Sequence, residues 1–376
     1  MRILILGGTG AMGKALVNLL LKYDHHITVT SRSFHVVPTQ FEDKLVYLKG
    51  DAHSKDFILD VLSTHWDVII DFMVYSTAEF KNRLMSLLNS TDQYIFLSSA
   101  RVYSNDALIT EATERLLETS RDVEYLQTDE YALAKARQEN LLLGSGLKNW
   151  TVIRPYITFS EERLQLGVFE KEDWLYRVMK GRSIVFSRDI ATKCTTLTYG
   201  NDVARGIASL IGKSDSTGEF FHITSEVPIC WNEVLGIYLK ILSSNAIKPK
   251  VFWLEDMEIL SDVMNNQYQV KYDRLYNRKF SSHKIKKYAD SSCNLSDSRE
   301  KLTKCLESFL ENPKFKNINW VTQAFMDRVS GEFSSMSEMK VHKDKIKYLL
   351  FRFGPISFLL LLRSIKSKVR KISLLD

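Results

Sequence analysis

The chain has 376 residues, 45% of them apolar and 26% charged, which excludes pervasive disorder and a disulfide-stapled miniprotein and leaves room for about two domains. Its net charge of +6 is unevenly spread, because residues 340–376 carry ten basic and two acidic side chains and residues 1–339 balance at −2. A nearly neutral body argues against a general nucleic-acid binder, so DNA is not expected as a partner and RNA is disfavoured.

Through the first 160 residues, short apolar runs alternate with amphipathic stretches: RILIL, residues 11–22, ITVT, LVYL, residues 56–63, DVIID, residues 78–89, YIFLSS, residues 130–143 and WTVIRP. Apolar strands separated by helices predict an α/β fold with a doubly wound parallel sheet of Rossmann type, whose ligands bind at the carboxyl ends of the strands. The pattern then loosens, with a helix expected at 171–180 and a strand near Ile184. It returns with a helix over 202–211 and a strand over 219–224. These alternations place a dinucleotide-binding domain at 1–165, rejoined at about 195–225. A smaller, partly interleaved α/β substrate domain is expected at 166–194 and 226–335, with a basic amphipathic tail at 336–376.

The first strand runs into Gly7, Gly8, Gly10 and Gly13 before an amphipathic helix. In that context the glycines suit a dinucleotide diphosphate. Gly7 permits the tight turn, Gly10 the close approach of backbone, and Gly13 close helix packing, while the helix N-terminus offers free N–H groups. Thr9, Ala11 and Met12 complete this loop. About twenty residues on, Ser31 stands where an acid would bind the ribose of NAD, and Arg32 follows it. This pair favours the 2′-phosphate of NADP, with NAD as the alternative. Asp51, with Ala52 beside it, is positioned either to accept a hydrogen bond from the adenine amino group or to cap a turn.

The strand YIFLSS ends in Ser98 and Ser99. Thr128 is expected to cap a helix beginning DEYALAK, on which Tyr131 and Lys135 share one face. With GGTGAMG, KGDAHSKD, FLSSARVY, YALAK, VIRP and TLTYGNDVARGI in this order, the sequence resembles the extended short-chain dehydrogenase/reductase family of NAD-dependent epimerase/dehydratase type. The later stretches FFHITSEVPICWNEVLGIYLKIL and DRLYNRKFSSHKIKK look like a subgroup that also includes chloroplast stem-loop-binding proteins. The resemblance implies an NAD(P)-dependent epimerase or oxidoreductase acting on a nucleotide sugar or similar polyol. By the same resemblance, Tyr131 is the general acid/base, Lys135 binds the nicotinamide ribose and holds the tyrosine pKa down, and Ser99 hydrogen-bonds the reacting oxygen. Two alternatives stay open: an NADPH-dependent carbonyl reductase, and a non-catalytic NADP-sensing or RNA-binding module. The Asp-Glu pair of 4,6-dehydratases is replaced by Ala100 and Arg101, which argues against dehydration. Arg101 either binds substrate or is structurally paired.

Cys194, Cys230, Cys293 and Cys305 form no CxxC pair and follow no secretory leader, so they are expected as reduced thiols of a cytoplasmic protein with no metal site. The longest apolar run near the C-terminus, residues 356–362, is far shorter than the ~18 residues of a membrane span. The stripe Phe358, Leu361, Leu362, Ile365, Val369 and Ile372, set among basic residues, suits either contact of 357–376 with an anionic membrane surface or docking against the chain's own domain or a homodimer partner.

Overall fold

The computed structural model describes residues 1–289, 293, 295 and 297–355, so the tail reading at 357–376 lies outside the described residues. The chain divides into two compact units, one comprising residues 1–163, 194–229 and 277–305, the other 164–193, 230–276 and 306–376.

The first unit is built on seven parallel strands: β1 (Arg2–Leu6), β2 (His26–Ser31), β3 (Leu45–Lys49), β4 (Trp66–Asp71), β5 (Thr91–Leu97), β6 (Trp150–Pro155) and β7 (Glu219–Ile223). Their order is β7-β6-β5-β4-β1-β2-β3. The central strands β1, β4, β5 and β6 are buried almost throughout because helices cover both faces. Ile3 and Ile5 of β1 point to the face packed by α1 (Ala11–Leu20) and α5 (Gly200–Leu210), through Leu16, Leu20, Val203 and Ile207. Leu4 and Leu6 point to the opposite face, packed by α2 (Lys55–Val61), α3 (Thr77–Asn89) and α4 (Tyr131–Leu143), through Ile58, Phe80, Leu84 and Leu142. The strand order reverses between β1 and β4, and that switch point opens a crevice at the carboxyl edge.

The second unit holds the helices Lys171–Met179, Trp231–Ser244, Glu258–Met264, Trp320–Ser330 and His342–Phe353, and a parallel pair of strands, Ile184–Ser187 with Val251–Leu254. Trp174 stacks on Tyr238 with ring centroids 4.5 Å apart. The buried Arg177 is neutralised by Asp327 at 2.6 Å and Glu332 at 2.8 Å, as a buried guanidinium requires.

Two expectations are corrected. Cys194 and Cys230 are disulfide-bonded, not reduced, whereas Cys293 and Cys305 are thiols; cysteines outside a CxxC pair leave no mark of such bonding in local spacing. The cap of α4 is Glu130, whose carboxylate accepts the Ala132 N–H at 2.8 Å. Thr128 lies two residues earlier, donating to the Tyr125 carbonyl at 2.7 Å. Among the described residues no helix is long and apolar enough to cross a membrane.

Candidate active site

The loop between β1 and α1 lies at the switch point. Gly7 adopts φ +69°, and its N–H donates to Thr30 Oγ1 at 3.2 Å. A Cβ on Gly13 would stand 2.4 Å from the Gly8 carbonyl oxygen, so the helix packs on the loop only because this residue has none. At Gly10 the same construction meets nothing within 4 Å. Gly10 is also the N-cap of α1 and supplies no capping side chain, leaving first-turn N–H groups without a side-chain acceptor. Space beside an uncapped helix start, with Thr9, Ala11 and Met12 partly exposed around it, fits the diphosphate of a dinucleotide.

Ser31 is buried at the end of β2, where its Oγ meets His35 Nε2 at 2.8 Å and accepts the Ser33 N–H at 3.2 Å. Arg32 is exposed, and among the described residues no ion pair engages it. The exposed Asp51 shapes its own turn by accepting the His53 N–H at 3.0 Å. Ala52 is buried, its carbonyl held by Arg83 at 2.7 Å.

At the ends of β4 and β5 the sheet presents Asp71 and the two serines. Their roles differ by partner. Ser98 Oγ donates to the buried Glu139 at 2.5 Å. The same carboxylate receives Arg154 at 2.8 and 2.7 Å and Arg115 at 2.9 Å, so Ser98 belongs to a structural network and Arg154 fixes the strand end. Behind it, Arg154 and His222 both bond the Tyr103 hydroxyl, and His222 Nδ1 meets the Ser281 carbonyl at 3.0 Å. Burial lowers the His222 pKa to about 4, keeping the ring neutral.

Ser99 instead faces α4. Its Oγ accepts the Arg101 N–H at 3.2 Å, and it lies near enough to the Tyr131 phenol to act on its pKa in the direction that favours phenolate. Burial raises the Tyr131 pKa. The Arg101 guanidinium, centred 5.3 Å from the ring, is the strongest influence in the opposite sense, with Arg163 adding to it and Glu130 opposing. Arg101 is itself held by Glu130 at 2.6 Å, so the paired reading of this arginine describes its contact.

Lys135 lies one turn along from Tyr131 and is 1% exposed. Its ammonium turns toward the sheet, 3.4 Å from the Met73 carbonyl and 4.4 Å above the Phe96 ring. Burial lowers its pKa to about 8, opposed by the carboxylates of Asp71 and Glu139. Asp71 is fully buried and accepts hydrogen bonds from Tyr94 at 2.8 Å and the Met73 N–H at 2.9 Å, and burial raises its own pKa. Sequence reasoning did not single out Asp71 or Arg163. The mark of Asp71 is a charged residue directly after the apolar run 68–70, at the carboxyl end of its strand; Arg163 carries none.

The family model for the NAD dependent epimerase/dehydratase family matches residues 3–223. The chloroplast stem-loop binding protein of 41 kDa b from Arabidopsis thaliana is 27% identical over 238 residues, 60% of this chain and 59% of that protein, so the match spans less than two thirds of that relative. The 2′-dehydrokanamycin reductase of Streptomyces kanamyceticus is 22% identical over 274 residues, 70% of this chain and 74% of that protein. The crystal structure of UDP-glucuronic acid 4-epimerase from Bacillus cereus in complex with NAD shares the fold, with a TM-score of 0.60 at 14% identity over 82% of this chain and 95% of that one. With its glycine loop at the switch point and a family match spanning more than half of its length, the chain belongs to the NAD dependent epimerase/dehydratase family.

Proposed function

We propose that this chain is a nicotinamide-dinucleotide-dependent oxidoreductase, acting as an epimerase on a nucleotide sugar or similar polyol, with Tyr131 as its proton carrier. The observation that carries the reading is that Tyr131 stands beside the turn after β5, with Arg101, whose N–H bonds Ser99 Oγ, 5.3 Å from its ring, at the carboxyl edge of the sheet that also bears the glycine loop. A bound dinucleotide supplies the acceptor and donor of hydride. Gly7, Thr9, Gly10, Ala11, Met12 and Gly13 would hold its diphosphate, Ser31 and Arg32 the adenosine ribose and a 2′-phosphate, Asp51 and Ala52 the adenine side, and Lys135 the nicotinamide ribose. The Tyr131 phenolate takes the proton of a substrate hydroxyl as its carbon is oxidised, and returns it when the carbonyl is reduced. Ser99 donates a hydrogen bond to that oxygen. The chain's similarity to an epimerase named for a UDP sugar supports the substrate class.

A second reading, net NADPH-dependent carbonyl reduction, is favoured by Arg32 and by similarity to a protein named as a reductase. The relative named for stem-loop binding supports an RNA-binding module, but such a module has no need of Ser99, Tyr131 and Lys135 together. The test is Tyr131→Phe, assayed for epimerisation of UDP sugars and for NADPH oxidation with carbonyl acceptors. It should lose turnover while cofactor affinity stays near that of the parent. Full turnover in the variant would overturn the assignment, and turnover confined to NADPH oxidation would select the reductase.

A further inference from the structure

We infer that Arg101 sets the proton affinity of Tyr131, acting as a positioning residue through the phenol, while Lys135 serves the interior of the site. This inference rests on the reading of Tyr131 as proton carrier.

The short turn Ala100–Val102 follows Ser99 directly and brings Arg101 over α4, its guanidinium carbon 5.3 Å from the Tyr131 ring centroid. Glu130, the residue before Tyr131, fixes that guanidinium at 2.6 Å, with the two side chains only 15% and 17% exposed. Poor solvent access preserves the influence of a charge at this range. The Arg101 N–H also bonds Ser99 Oγ at 3.2 Å, so one residue orients the serine and places a cation beside the phenol.

The Lys135 ammonium is turned toward the sheet. Its contacts are the Met73 carbonyl and the Phe96 face, and the carboxylates acting on it are Asp71 and Glu139. The charged groups facing the phenol are Arg101 from the turn after β5, Glu130 from the start of its own helix, and Arg163 from beyond β6. Arg101 outweighs Glu130 there, and the carboxylate is already engaged by the guanidinium and by the Ala132 N–H at 2.8 Å. The two cations together favour phenolate, which a proton acceptor must become.

The test is a ¹³Cζ-tyrosine NMR titration of the full chain loaded with NADP⁺, with the Tyr131 signal assigned by its loss in Tyr131→Phe. Arg101→Gln should raise the Tyr131 midpoint by about one pH unit, and Arg101→Lys should restore most of the shift. Glu130→Gln, which keeps an oxygen for the cap, should lower the midpoint. Opposite shifts from two neighbouring substitutions are what a charge effect produces; general loosening of the site would move both the same way. An unchanged midpoint in Arg101→Gln, or shifts of one sign in both variants, overturns the role of Arg101 and leaves the proposed function standing. Full turnover in Tyr131→Phe overturns the reading beneath it instead.

Discussion

Replacing Lys135 by methionine should stabilise the fold while weakening cofactor binding. The ammonium is 1% exposed, and its pKa falls from the ordinary 10.5 to about 8. At about 1.4 kcal/mol per pH unit, charging it in the folded state costs about 3 kcal/mol at neutral pH. Methionine matches its length without the charge, and the lost bond to the Met73 carbonyl returns part of the gain, so about 2 kcal/mol of net stabilisation is expected. The pH dependence gives a sharper signature. Below pH 8 the lysine is charged in both folded and unfolded chains and the penalty is complete. Between about 8 and 10.5 the folded chain has released the proton and the unfolded chain has not, so stability rises with pH. Urea unfolding from pH 7 to 10.5 should show this rise in the parent and lack it in Lys135→Met, while fluorescence titration should show weaker NADPH binding in the variant. A destabilised Lys135→Met, or one that keeps the same rise, would refute the assignment of a strained buried ammonium.

Three further outcomes follow from the geometry. Gly10→Ala should fold normally and bind cofactor more weakly, because a Cβ there meets only open space, whereas Gly13→Ala should unfold at lower urea because its Cβ would meet backbone at 2.4 Å; thermal and urea melts of the two distinguish these fates. Arg32→Ala should weaken NADPH binding by about 1.5–3 kcal/mol, the range for a hydrogen bond to a charged group, and leave NADH binding unchanged. His222, held neutral with its pKa near 4, leaves full stability above the ordinary 6.5 and loses it as pH falls toward 4, when the unfolded chain takes up the proton first. Acid titration by circular dichroism should show a decline in that window that shrinks in His222→Gln.

The parts of the molecule legible in sequence are those set by neighbours along the chain. RILIL followed by Gly7, Gly10 and Gly13 announces strand, turn and helix because each requirement falls within a dozen residues. Tyr131 and Lys135 likewise share a helix by spacing alone. What the spacing hides is where the side chains go. Lys135 turns to the Met73 carbonyl, 62 positions earlier, and Arg101 reaches the helix start 29 residues later. Ser98 and Ser99 look alike in YIFLSS, and only the pleat, which sends Ser98 to Glu139 and leaves Ser99 to the Arg101 N–H on the side of the phenol, tells them apart. The cap of α4 falls on Glu130 and not on the expected Thr128 for a related reason: Thr128 is engaged with the Tyr125 carbonyl of the preceding turn, a contact that spacing does not show.

Glu139 has a mechanical consequence. It lies two turns beyond Tyr131 on the same helix and bonds the serine adjacent to Ser99, so the helix and the strand end move as one piece, braced by Arg154 from β6. The distance between the phenol and the serine hydroxyl is thereby independent of the loops that follow β5 and β6. The part of the loop after β5 that lies beyond Arg101 can therefore be exchanged while both cations beside the phenol are kept. Grafting residues 104–110 from a relative of different specificity is a practical route to changing what the protein acts on while preserving how it acts.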